Sequence, residues 1–286
     1  MVSTLLLNSS LNKIIMRRLK ILFFWLFVNR NNVSIAALIK FLSKPTISVI
    51  AKRYITGIEP DGDNYKVSFN GLKHPLYWPK SFSLNRLDQV VCETYDVNDW
   101  HYYQKKHTLI EDGDILLDIG TAEGLFSLTV ADVCSHIYMV EPGGTFNQSL
   151  KKTFEAYTHK TTILNVAIGN EDGEIFFNED SLDGKVTEGT VSNAQKININ
   201  KIDTLLAGKK ITYLKADIEG FEQEMLRGAA QTIKENKPKI AITTYHTEND
   251  PKEIIDIIKS YVPEYNHYVT GIYEATPKPV LIHFWI

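Results

Sequence analysis

The 286-residue chain holds only two cysteines, Cys92 and Cys134. Two thiols are too few for a disulfide framework and these lack metal-site spacing, so they read as small buried hydrophobes in a reducing compartment. There is no basic excess. A formal net charge of −3 leaves no electrostatic footprint for nucleic acid, and no such partner is expected. No apolar run reaches the about 20 residues that cross a bilayer. The third glycine of a G-x-G-x-x-G dinucleotide loop is also missing. What remains, with 44% hydrophobic and 23% charged residues, supports a globular fold of one large domain with appendages or two small ones.

The N-terminus has its own character. Arg17-Arg18-Leu19-Lys20 precedes the run Ile21–Val28, which Asn29-Arg30-Asn31-Asn32 closes without a small-residue cleavage site. A helix packed on the main domain or at an oligomer contact is the plainer reading. The sharper one is a peripheral membrane contact through residues 17–30, on a cytoplasmic protein. Residues 1–56 read as helical, stopping at Lys44-Pro45. Glu59–Asn64 reads as a turn cluster, and Tyr65–Phe69 with Leu76–Pro79 as a hairpin around Asn70-Gly71. Tyr77 and Trp78 either wall a substrate cleft or pack the hairpin down. Residues 85–110 read as mainly helical, so the expected division is an extension, 1–84, and a main domain, 85–286.

The main domain is organised around Ile115-Leu116-Leu117-Asp118-Ile119-Gly120-Thr121-Ala122-Glu123-Gly124. An apolar run ending in an acid, then a glycine-punctuated turn, predicts a buried parallel strand feeding a helix. Gly120 permits a tight turn close to a ligand, and Gly124 opens the helix. The next strand, His136–Val140, ends in Glu141, placed to accept hydrogen bonds from a ribose diol. A ribose-binding acid without the pyrophosphate glycine fits S-adenosylmethionine. The expected cofactor contacts are Asp118, Gly120, Thr121, Glu123, Gly124, Glu141, and, beside the adenine, Asn165 and Ala167.

Strands and helices alternate beyond residue 115, which calls for a parallel sheet with helices on both faces. The expected strands are 115–119, 136–140, 162–166, 211–216 and 239–245; the expected helices are 124–134, 145–157, 221–235 and 251–261. An insertion, Glu174–Asn200, carries a hairpin strand and a polar loop, Glu179–Ser192, long enough to cover a site. Tyr265–Tyr273 and Val280–Ile286 are joined too tightly to be anything but antiparallel. Five parallel strands and a terminal antiparallel hairpin make a seven-stranded α/β sheet of the Rossmann-like class I methyltransferase order.

Asp217, Glu219 and Glu222 follow the fourth strand at the crevice of such a sheet. Three carboxylates within six residues repel unless a cation is near, be it a sulfonium, a helix N-terminus or a divalent metal. Asp217 reads as functional and Glu222 as first-turn helix stabilisation. His246, after the fifth strand, has the residue type for a general base near neutral pH.

Leu214-Lys215-Ala216-Asp217-Ile218-Glu219-Gly220-Phe221-Glu222, with Gly113–Gly120 and Val140-Glu141-Pro142, resembles the FkbM-type methyltransferases. Asn165–Gly169 and Ile202-Asp203-Thr204-Leu205 fit the same pattern, whereas residues 1–80 match none. The resemblance implies O-methylation of a sugar or glycan hydroxyl, as in polysaccharide or glycoconjugate biosynthesis, with S-adenosylmethionine as donor. On that reading His246 is the base and Asp217 orients it or holds the acceptor. A variant has Asp217 and Glu219 binding Mg²⁺. The rivals are an NAD(P)-binding oxidoreductase and a catalytically silent binding or scaffold protein on the same fold.

Overall fold

The computed structural model describes residues 2–178, 185–187, 195–246 and 249–286; the side chains of 2–11, 13, 178, 185–187 and 195 are outside that description. The polar loop Glu179–Ser192 therefore lies almost wholly outside the described residues.

Three helices open the chain: α1 (Val2–Phe27), α2 (Ile35–Ser43) and α3 (Ile47–Ala51). Ser34 caps α2 by accepting from the Ala37 N–H at 3.2 Å. An antiparallel sheet follows, β1 (Ile55–Asp61), β2 (Asn64–Phe69) and β3 (Leu76–Pro79), and then α4 (Leu84–Tyr95). The cluster 59–64 is thus mostly strand rather than turn; the reversal is confined to Gly62-Asp63, where Gly62 takes φ 54°. Residues 96–110 are turns and irregular chain rather than helix, because Asp96 and Asp99 fold their carboxylates onto the N–H groups of Asn98 and His101.

The main sheet comprises β4 (Ile115–Ile119), β5 (His136–Val140), β6 (Thr161–Leu164), β11 (Tyr213–Ala216), β12 (Lys239–Thr243), β13 (Asn266–Thr270) and β14 (Leu281–Trp285). Its order is β13-β14-β12-β11-β4-β5-β6, with five parallel strands and β14 antiparallel to both neighbours. Between β6 and β11 the chain forms a second sheet, β7 (Ala167–Ile168), β8 (Gly173–Asn178), β9 (Lys185–Thr187) and β10 (Gln195–Asn200), in the order β7-β10-β8-β9.

The helices are α5 (Leu125–Val130), α6 (Gly144–Thr153), α7 (Ile202–Leu205), α8 (Glu222–Arg227), α9 (Ala230–Asn236) and α10 (Pro251–Tyr261). The expected single helix 221–235 is two, broken at Gly228. That residue approaches Gly169 so closely that a Cβ would stand 2.1 Å from the Gly169 carbonyl oxygen.

Period-two alternation divides the core between the faces of the sheet. Leu116 packs with Leu125, Ile137 and Met139, whereas Leu117 packs with Val140, Leu214 and Ile240. Each such fully buried leucine contributes about 1.5–3 kcal/mol. The first face is completed by the extension: Ile21, Trp25, Phe69 and Trp78 belong to the same cluster as Leu116. Trp78 is fully buried, with its indole N–H on the Phe82 carbonyl, so it packs the small sheet down instead of walling a cleft. Both cysteines are buried and free.

Candidate functional site

The loop after β4 is shaped by two glycines and one strained residue. Gly120 takes φ 68°, and a Cβ there would lie 1.8 Å from the Asp217 carbonyl oxygen. The glycine loop and the segment after β11 are therefore in backbone contact, which no side chain at 120 would permit. Gly124 takes φ 87° against Leu150 and Phe154, and Ala122, without glycine's freedom, is also left-handed at φ 48°. Thr121 steadies the turn by donating to the Asp118 carbonyl at 2.7 Å.

Glu141 is buried under this loop. One carboxylate oxygen accepts from the Ala122 N–H at 2.9 Å and the other from the Gly143 N–H at 2.7 Å. Asn165 is exposed beside it and donates to the carbonyls of Glu141 and Pro142 at 3.0 and 2.8 Å. Ala167, two residues on, is buried in β7, paired with Ile199 of the second sheet.

Asp118 is fully buried. One oxygen stands 3.0 Å from Lys215 Nζ and the other accepts from Ser127 at 2.7 Å; Lys215 also donates to the Gly120 carbonyl at 2.7 Å. Asp118 thus holds the loop from beneath. Burial would lower the Lys215 ammonium, but Asp118 and Asp217 overcome it and raise the group above its ordinary value. Glu123 is buried and accepts from the Leu125 N–H at 3.3 Å; burial outweighs its backbone N–H contacts and the Lys215 charge and pushes its carboxyl up to about 7.

A different cluster forms after β11 and β12. Glu222 is fully buried, and its carboxylate gathers five donors: the N–H groups of Ile218 (3.1 Å) and Gly220 (2.9 Å), Thr243 Oγ1 (2.9 Å), Asn249 Nδ2 (2.7 Å) and His246 Nδ1 (2.8 Å). A carboxylate only accepts, so His246 Nδ1 carries the proton of that bond. Glu222 does far more than stabilise the first turn of α8. It folds the 217–221 turn, in which Glu219 takes φ 57°, and fixes the ring of His246.

The other ring nitrogen, Nε2, lies 3.6 Å from Asp217 Oδ1 and 3.3 Å from Glu219 Oε2. It is buried and makes no well-formed hydrogen bond, its contacts with the two carboxylates being ion pairs. Burial alone would lower the ring. Glu219, Glu222 and Asp217 outweigh it and lift His246 to about 11, so in the ion-free molecule the ring is an imidazolium and cannot serve as the expected general base at neutral pH. For Asp217 the opposing burial is likewise overcome, by His246 and Lys215, and its carboxyl is lowered. Tyr103 donates to Asp217 Oδ2 at 2.8 Å; burial and the charge of Asp217 hold its phenol well above its ordinary value, keeping it a donor.

A cavity of about 890 Å³ opens on this cluster. Glu219, His246, Tyr245 and Tyr273 line it, together with Arg18 and Lys44 of the extension. Lys44 is paired with Asp96 and Asp99, and Arg18 donates to the Lys44 carbonyl.

The pattern defining the FkbM methyltransferase domain matches residues 118–265, just over half of the chain. The chain belongs to the FkbM methyltransferase family. Its segment order is the Rossmann-like one of class I methyltransferases. The crystal structure of an FkbM methyltransferase from Methylobacillus flagellatus KT is similar over 87% of this chain and 60% of that one, at 19% identity and a TM-score of 0.50. This FkbM chain therefore spans about 60% of the length of that relative. Magnesium protoporphyrin IX methyltransferase from Synechocystis PCC 6803, solved with bound SAM, is 12% identical, covers 61% of this chain and 71% of its own, and gives a TM-score of 0.38. At 19% identity the likeness to the Methylobacillus protein is one of fold. No curated protein matches the chain. Among the described residues no helix of this methyltransferase is long and apolar enough to cross a membrane.

Of the expected site residues, the fold brings Gly120, Thr121, Gly124, Glu141 and Asn165 around the ends of β4 and β5, and Asp217, Glu219 and His246 around the ends of β11 and β12. Sequence reading missed Lys215, Tyr103 and the central place of Glu222. Lys215 carried a usable signal, because a lysine inside the apolar strand Tyr213–Ala216 must find a buried anion.

Proposed function

We propose that this methyltransferase carries a methyl group from S-adenosylmethionine to a hydroxyl of a sugar or glycan acceptor. The observation that carries the reading is the cavity of about 890 Å³ ending on Glu219 and His246. It is large enough for more than one sugar ring and offers what sugars need: carboxylates that accept from hydroxyls and the rings of Tyr245 and Tyr273 as apolar faces. An acceptor seated there also meets Arg18 and Lys44 of the extension, which gives that region a part in acceptor choice.

The donor belongs on the other side of the Gly120–Asp217 contact. Glu141 closes β5 and accepts from the Ala122 and Gly143 N–H groups beside the glycine loop, the position of an acid that receives a ribose diol. S-adenosylmethionine supplies the methyl group already activated as a sulfonium. The protein therefore needs chiefly to bring donor carbon and acceptor oxygen to about 3 Å in line. As the new C–O bond forms, the S–C pair stays on sulfur and the hydroxyl proton passes to a carboxylate. Asp217 and Glu219 take this part, in place of the imidazolium.

Calorimetric titration of the full chain with S-adenosylmethionine and S-adenosylhomocysteine tests the reading. Micromolar binding is expected, weakened about tenfold or more in Glu141→Ala, the loss of one charge-assisted contact. Labelled methyl transfer to a panel of glycans then finds the acceptor. No binding of either ligand to protein shown to be folded would overturn the assignment.

A further inference from the structure

We infer that Asp217, Glu219 and His246 form a binding site for one divalent metal ion, open toward the acceptor cavity. Each residue offers one ligand atom, and these atoms lie within 4.8 Å of one another. Adjacent ligands about 2.0–2.4 Å from a single ion stand roughly 3.0–3.5 Å apart. The separations of His246 Nε2 from Glu219 Oε2 and Asp217 Oδ1 are 3.3 and 3.6 Å, so little movement is needed to place an ion between all three.

The histidine points most directly to a metal. His246 is 7% exposed, its Nε2 is buried without a partner, and it faces two carboxylate oxygens. Its other nitrogen is committed to Glu222, itself fully buried and held by four further donors. A histidine that gives one N–H to a buried carboxylate and turns its second nitrogen toward other ligands has the usual outer arrangement of a metal-binding imidazole.

Charge agrees. Asp217, Glu219 and Glu222 gather three carboxylates around the one imidazole of His246, a donor set that suits a divalent cation. One imidazole with two carboxylates favours a first-row ion such as Mn²⁺ over Mg²⁺, which prefers oxygen alone.

Three protein ligands leave coordination positions free, and Glu219 and His246 also line the cavity. An acceptor hydroxyl bound there would be acidified in place and presented to the donor. That role rests on the methyltransferase reading; the metal site does not.

The test titrates chelator-stripped full chain with MnCl₂ and follows free Mn²⁺ by its paramagnetic resonance signal. One equivalent is expected to bind at micromolar concentration, with a nitrogen coupling from imidazole in the pulsed spectrum. Glu219→Gln should weaken binding on the order of tenfold or more, and His246→Gln should remove the nitrogen coupling. Unchanged melting curves would show both variants folded, and the remote surface variant Glu235→Gln should bind as the parent does. Failure to bind one equivalent, or binding that survives both site variants unchanged, overturns the site. The two readings fail separately: Mn²⁺ binding without methyl transfer would sink only the function, and full transfer in EDTA without Mn²⁺ binding only the metal.

Discussion

Two acid-rich loops sit side by side at the carboxyl ends of neighbouring strands, and their charges are managed in opposite ways. After β4, Asp118 is matched by Lys215 and Ser127, and Glu141 by two backbone N–H groups. After β11, Asp217 and Glu219 crowd one imidazole whose second nitrogen has no bonded partner. The first arrangement is balanced and builds a rigid cradle. The second gathers carboxylates around one histidine beside a cavity, a grouping typical of a site where a ligand or ion binds. Surroundings, more than residue type, separate the carboxylates that shape the fold from those that face chemistry.

The comparison breaks most severely if the balanced loop is unbalanced. Lys215→Met leaves Asp118 buried without its cation and should cost about 3–5 kcal/mol, read as a fall in urea midpoint. The double variant Asp118→Leu, Lys215→Met should recover much of that loss, because removing both charges also removes the desolvation penalty. Equal destabilisation by the single and double variants would mean that packing, not charge, holds the loop.

Glu222→Gln comes next. The amide keeps the volume but can no longer accept all five donors with charge, and it frees the His246 ring to turn. A loss of about 2–3 kcal/mol in stability is expected from the buried charge-assisted bonds. Turnover should fall by on the order of a hundredfold while donor affinity stays near that of the parent, since Glu141 lies on the other loop. A parallel collapse of donor affinity would show that the two loops do not act separately.

How much of this could be read in the chain depends on the distance over which each feature is decided. The strands β4, β5 and β12 are apolar runs closed by acids, glycines or polar residues, and their identity is local. The terminal hairpin followed from its short link. Gly120 and Glu141 were legible for the same reason, a turn and a strand end. Residues 96–110 misled because aromatics at helical spacing hide two aspartates that curl the chain into turns and carry Tyr103 to Asp217. His246 misled differently. Its residue type suggested a base, but its protonation is set by Asp217, Glu219 and Glu222, from 24 to 29 residues upstream as counted along the sequence. The break at Gly228 depends on Gly169, just after β7 and far away along the chain.

Glu123 gives the mildest test of the comparison, because burial outweighs the backbone N–H groups and the Lys215 charge that act on its carboxyl. Burial raises its carboxyl from 4.5 to about 7. Between those values the folded chain binds a proton that the unfolded chain has released. Its contribution to stability is therefore greatest below about pH 4.5 and declines as pH rises through 7. The full swing is about 3 kcal/mol, and Glu123→Gln, which cannot ionise, should remove it. Melting temperatures at pH 5 and pH 8 provide the reading: the variant should match the parent at pH 5 and exceed it at pH 8. A parent whose stability is flat between those values would mean that Glu123 has found a neutralising contact, and the loop after β4 would then be balanced without exception.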